Sequence, residues 1–332
     1  MIKRFYLIAV LAIISTVICA IPVSAQDQEV QVKSAFSVNP SVKGTGIPIG
    51  ATVHLGADGK TTVFGPNNIK ILSAWDSEAT TLDTPDGKVK ATHVFEVPSG
   101  STVEKQRKIM TVQFQGQQIL TVINDQNTTN RSISPPAFSA WMESASYTSS
   151  NIGYFRVDSA VPSSPPNPGS NIIDYIWNGF ESSDGTDIIQ PVLEYNYGGS
   201  GAWTCAAWCG FDGVFTRATP CSASVNNELF YAMTYGSGQW LVQIYNETTS
   251  QSSYLYTSGI GYQNLPTLLV LEGININSNN DVCGDIYFHD AILRTTSWAT
   301  ITPSWFAWVY VQLSGLSVDV ISSSQVELNT AN

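Results

Sequence analysis

Ile188-Ile189-Gln190-Pro191-Val192-Leu193-Glu194 and Leu268-Leu269-Val270-Leu271-Glu272 are apolar runs that carry an amide and two carboxylates. Each is too short for a typical helix and is bounded by turn formers, so each reads as a β-strand. Successive strand side chains point to opposite faces. Gln190, Val192 and Glu194 therefore share one face, as do Leu268, Val270, Glu272 and Ile274. Gln190 and Glu194 lie about 13 Å apart along theirs, at about 3.3 Å per residue. A carboxylate on a buried face must pair, accept hydrogen bonds or stay protonated, and burial raises its pKa. Such groups gather at functional sites, although a structural glutamate bonded to a backbone amide or a tyrosine fits the same pattern.

Outward from these runs, residues 137–300 continue as short β-prone stretches, Trp203–Trp208 and Trp240–Tyr245 among them, between Gly-Ser-Gly, Asn-Gly and Asp-Gly turns. Strands of this length and spacing predict an all-β protein, an antiparallel β-sandwich or jelly roll. Upstream, residues 26–123 alternate runs such as Ala51-Thr52-Val53-His54-Leu55 with turns such as Asp58-Gly59 and form a smaller β-rich N-terminal region. The polar stretch 124–136, ending in Pro135-Pro136, reads as a linker. Residues 301–332 add C-terminal strands and a tail.

Lys3 and Arg4, the apolar Phe5–Ala20 and the Val23-Ser24-Ala25 site make residues 1–25 a secretory signal peptide. The mature chain is then expected to start at Gln26 and to be secreted, with an uncleaved anchor as the alternative. No later stretch has the 18 apolar residues of a membrane span. Loss of Lys3 and Arg4 from 15 basic residues leaves 13 against 26 acidic ones, a net charge of about −13. With Lys105-Gln106-Arg107-Lys108 as its one basic cluster, so acidic a chain is a poor fit to nucleic acid.

Past the signal, Cys205, Cys209, Cys221 and Cys283 remain. An even number in an exported chain predicts two disulfides, with Cys209–Cys221 and Cys205–Cys283 favoured among three connectivities. Zinc is the competing use, weakened by the lack of a Cys-x-x-Cys pair, and no cofactor or metal is expected. Asn127, Asn130 and Asn246 open glycosylation sequons.

The missing chemistry narrows the field further. The chain has no His-Glu-x-x-His, no Gly-x-Ser-x-Gly elbow and no Gly-rich phosphate loop, and its three histidines are His54, His93 and His289. Carboxylate and amide chemistry remains, with Glu272 and Glu194 inside strands rather than at turns.

Ordered along the chain, Ile176-Trp177-Asn178-Gly179-Phe180-Glu181, Ile188-Ile189-Gln190, Ala202-Trp203-Thr204-Cys205-Ala206-Ala207-Trp208, Ser237-Gly238…Asn246-Glu247-Thr248 and Leu269-Val270-Leu271-Glu272-Gly273 resemble the glutamic peptidases of the eqolisin family. Pro191 after the glutamine, and Asn178 and Glu181 in the loop segment, depart from the family pattern; the Gln-Pro-Val-Leu strand is closer to a poorly characterised group of exported proteins. The resemblance implies a concanavalin-like sandwich with Gln190 and Glu272 as a catalytic pair holding one water. It also implies a polypeptide substrate, acid pH, and a propeptide role for residues 26 to about 135, with a simple accessory β-domain as the equal alternative. Trp177, Trp203, Trp208 and Glu194 then become candidate substrate-binding residues, with core packing the competing role for the tryptophans. A carbohydrate-binding, lectin-like sandwich, a surface protein and a Glu194/Glu272 glycosidase remain as alternatives.

Overall fold

Continuous apolar runs belong to strands covered on both faces, and alternating runs to strands with one wet face. Both kinds occur here, and they divide between two sheets. In the computed structural model the described residues are 33–34, 46–126, 141–169, 171–182, 185–311 and 313–332, all within the unit Gln31–Asn332. The first sheet runs, edge to edge, through Lys33–Ser34, Val94–Val97, Val214–Ala218, Trp203–Phe211, Asp187–Tyr195, Ile173–Glu181, Leu265–Ile274, Trp141–Ser149 and Phe306–Val309. Its three central strands are buried almost without a break. The second sheet includes Tyr154–Ala160, Glu228–Gly236, Gln239–Asn246, Gln251–Thr257 and Ile286–Arg294. There Gln239–Asn246 alternates buried with half-exposed residues, as a strand with one wet face should.

The two sheets stack as the expected all-β sandwich. Phe180 of the first sheet packs between Phe155 and Trp240 of the second, with ring centroids 5.8 and 4.9 Å away. The other face of the first sheet is covered as well, by the hairpin Thr81–Thr84/Gly87–Lys90. Val89 belongs to the core formed by Trp141, Tyr175, Trp177, Val192, Trp208 and Val270, and Leu82 packs against it. Gly87 closes the hairpin at φ +95°, a conformation costly for any residue with a Cβ.

Both sheets run through the N-terminal region. Val94–Val97 pairs with Val214–Ala218, and Ser101–Gln106 with Gln251–Thr257. These joints are parallel, as is Gln117–Asn124 with Ala51–Leu55, whereas the pairings among strands of residues 141–294 are antiparallel. The C-terminal strands also join the sandwich: Phe306–Val309 pairs with Trp141–Ser149, and Gln325–Asn329 with Ile286–Arg294. The expected signal peptide and most of the expected linker, with Asn127 and Asn130, lie outside the described residues. No helix among the described residues is long and apolar enough to cross a membrane.

The cysteine expectation is corrected. Cys205, Cys209, Cys221 and Cys283 are all buried free thiols. Strand register explains why the favoured pairs do not form: Cys221 stands opposite Cys205, not Cys209. The backbone N–H of Cys283 donates to Asp174 at 2.9 Å. Asn246 is fully buried and its amide nitrogen donates to Ser222 and Asn227, so in the folded state this sequon presents no free amide.

Candidate active site under the hairpin

The hairpin-covered face of the first sheet carries the polar residues singled out in the sequence. Register places Trp141, Glu272, Tyr175, Glu194 and Thr204 in one row across five strands. Gln190 lies four residues along its strand from Glu194 and pairs with Trp208, which pairs with Arg217. Gln190 and Glu272 are thus two strands apart, about 9–10 Å, and offset by about 13 Å along the strands of a flat sheet. Sheet coiling alters such diagonals.

Glu272 is fully buried, and neither carboxyl oxygen makes a hydrogen bond among the described residues. Burial pushes its pKa well above the ordinary carboxylate range, and the Asp86 carboxylate adds to that; the indoles of Trp177 and Trp141 act the other way. The indole nitrogen of Trp177 is itself buried without a partner. Burial thus favours the neutral acid of Glu272, and the indole donors of Trp177 and Trp141 beside it favour the anion.

Gln190 is 1% exposed. Its Nε2 donates to the backbone carbonyl of Pro85 at 3.2 Å, while its Oε1 has no partner among the described residues. Tyr175 Oη donates to the carbonyl of Asp83 at 2.8 Å. Two side chains of the sheet thus hold the backbone of a peptide lying across it, at residues i and i+2.

Glu194 is equally buried but fully engaged. Its Oε1 accepts from Trp208 Nε1 at 2.6 Å and Arg217 Nε at 3.0 Å, and its Oε2 from Thr204 Oγ1 at 2.8 Å and Arg217 at 2.5 Å. A carboxylate has about four acceptor positions, so none is left for a water or a sugar hydroxyl. This argues against Glu194 as substrate contact or glycosidase base and makes it, with Arg217, an internal ion pair. Arg217 also donates to Glu96 at 2.7 Å and lies over the Tyr197 ring at 4.3 Å.

Trp177 and Trp208 both sit on this face and are fully buried. Trp203 does not join them. Its odd position in the strand turns it to the opposite side, where its Nε1 donates to Ser164. Sequence reading missed Tyr175, Trp141, Arg217 and the hairpin. Arg217, alone in Val214-Phe215-Thr216-Arg217-Ala218, was detectable as the cationic counterpart of a buried carboxylate.

One potential metal-binding group lies on the second sheet, where Asp158, His289 and Asp290 bring ligand atoms within 4.8 Å of one another. Arg156 already donates to both oxygens of Asp158, and His289 is held between Glu228 and Asp290 at 3.0 Å. These contacts satisfy the group as ion pairs.

No family model and no curated protein matches the chain. Among solved structures it is similar to scytalido-glutamic peptidase with a transition state analog inhibitor, at 18% identity over 57% of this chain and 98% of that one, TM-score 0.45. It is similar to SCP-B, a member of the eqolisin family of peptidases in complex with the tripeptide Ala-Ile-His, at 18% identity over the same shares, TM-score 0.43. A Bacillus licheniformis β-glucanase aligns at 10% identity over 70% of this chain and 86% of that one, TM-score 0.28.

Proposed function

We propose that this protein is a secreted hydrolase of peptide bonds, working at acid pH through Glu272 and Gln190. One observation carries the reading: the Gln190 amide donates to a peptide carbonyl on the face that buries the unpartnered Glu272. Successive hairpin residues address the two groups, Pro85 through its carbonyl and Asp86 through its charge. In the reaction, ionised Glu272 takes a proton from the attacking water. The Gln190 N–H stabilises the oxyanion formed on the carbonyl. The protonated Glu272 then gives its proton to the leaving amine.

A base must be ionised to act, and burial together with the Asp86 carboxylate of the hairpin pushes the Glu272 pKa up, against ionisation. Withdrawal of the hairpin lets water in and returns the carboxyl toward an ordinary acid pKa, which sets an acid optimum. This gives residues 26 to about 135 a propeptide role. The second reading, glycan binding, draws on Phe306 and Trp308, which are 58% and 52% exposed at the sheet edge, with Tyr310 stacked on Trp308. Trp177 and Trp208 offer no such platform, because both are buried.

The test is proteolysis of a denatured protein substrate from pH 2 to 7 by residues 26–332, before and after acid incubation. Glu272→Gln and Gln190→Ala variants run alongside. Cleavage by the unsubstituted chain and its loss in both variants is expected. Cleavage that survives Glu272→Gln would overturn the assignment.

A further inference from the structure

The hairpin does more than cover the face. Asp83 lies in the extended strand Thr81–Thr84 and Pro85 opens the two-residue turn that follows it. The carbonyl of each meets a buried side-chain donor of the sheet, Tyr175 and Gln190. Leu82 and Val89 supply the apolar contacts, against a core containing Trp177 and Val192. Tyr175 stands between Glu272 and Glu194 in the row.

Resting on the peptidase reading, we propose that the Thr81–Lys90 hairpin is a built-in substrate mimic and that Tyr175 is a substrate-positioning residue. The carbonyl at Pro85 marks where a substrate's scissile carbonyl binds. The carbonyl at Asp83 marks the one two residues upstream, held by Tyr175 Oη. The Tyr175 hydroxyl bonds a backbone carbonyl, so it fixes the register of a polypeptide without reading its side chains. Substrate and hairpin compete for the same two donors, and the seated hairpin excludes substrate.

Two substitutions unseat the hairpin by different means. Leu82→Asp places a carboxylate against the apolar core. Gly87→Ala strains the turn at φ +95° while its added Cβ meets open space, so it is the milder change and guards against misfolding. Each is made in the full chain, alone and with Tyr175→Phe. Hydrogen exchange over residues 81–90 confirms that the hairpin has opened while the sheets stay protected. With an open hairpin, cleavage of a model peptide should rise at least tenfold over the unsubstituted chain. Tyr175→Phe in that background should raise KM about fivefold, the effect of one lost hydrogen bond, with kcat nearly unchanged.

A hairpin open by exchange with no gain in cleavage, in a protein whose unsubstituted form cleaves, overturns the mimic. Tyr175→Phe lowering kcat and leaving KM alone overturns the positioning role. If no form cleaves, the peptidase reading fails by itself, and a synthetic peptide of residues 80–91 decides the rest. Its binding to the opened variant, about fivefold weaker with Tyr175→Phe, sustains the peptide site; absence of binding overturns it.

Discussion

Glu194 and Glu272 are the same residue type, equally buried, in one row of one sheet with Tyr175 between them. Four hydrogen bonds from Arg217, Trp208 and Thr204 engage both oxygens of Glu194, with Arg217 as its ion-pair partner. Neither oxygen of Glu272 has a hydrogen bond of ordinary geometry among the described residues, and burial pushes its pKa up. The difference lies in what the neighbouring strands present: Thr204, Trp208 and Arg217 on one side, indoles and the hairpin tip on the other. A satisfied buried carboxylate holds a fold together, whereas an unsatisfied one stores a proton that chemistry can use.

Glu272 is not alone in this, and the largest expected effect follows. Burial raises Glu143 and Asp174 to about 8 each, and Glu272 well above its ordinary value. In the unfolded chain all three release protons near pH 4. Between pH 4 and 8 the folded state therefore holds protons that the unfolded state has lost. Stability is complete below about pH 4 and erodes as pH rises, at up to about 1.4 kcal/mol per pH unit for each group. Urea unfolding from pH 4 to 8 should show a fall of several kcal/mol, the share of Glu143 and Asp174 levelling above about pH 8. A flat profile would mean that these carboxyls find partners on ionisation and that the contrast with Glu194 is illusory.

The same substitution at the two glutamates sharpens the contrast. Glu194→Gln removes the charge opposite a buried guanidinium and should cost about 3–5 kcal/mol at pH 7, the loss typical of breaking a buried ion pair. Glu272→Gln puts a neutral amide of the same shape in place of a carboxyl that burial pushes toward its neutral form: near pH 4 it should change stability by less than about 1 kcal/mol, and at pH 7, where the unfolded glutamate has released a proton the amide never held, it should stabilise the fold, while abolishing cleavage. Equal losses at both positions would show that Glu272 is ionised and paired in the folded protein.

Much of this was legible in the sequence, for reasons particular residues make plain. The runs around Gln190 and Glu272 were strands, and alternation put their polar groups on defined faces. The same alternation, applied to Trp203, would have excluded it from the site. The cysteine pairing was not legible, since it depends on whether Cys221 meets Cys205 or Cys209, a matter of register between strands. The hairpin's position was equally hidden. Thr84-Pro85-Asp86-Gly87 announces a turn locally, but nothing nearby in the chain tells that Pro85 meets Gln190, 105 residues away. The full engagement of Glu194 was hidden likewise, because three of its four hydrogen bonds come from residues 14 or 23 positions away.

That engagement can be probed one donor at a time, with the smallest effect of the set. Thr204→Val removes one bond to Glu194 Oε2 and keeps the side chain's shape. Arg217 still donates to both carboxylate oxygens, and Trp208 to one. The anion stays paired, so the loss should be that of a single hydrogen bond, about 1 kcal/mol by urea unfolding at pH 7. In the Glu194→Gln background the loss should shrink further, because a neutral acceptor gains less from the hydroxyl. A loss approaching that of Glu194→Gln would show that the four bonds stand or fall together. Glu194 would then be poised rather than secured, and closer in kind to Glu272 than its bonding suggests.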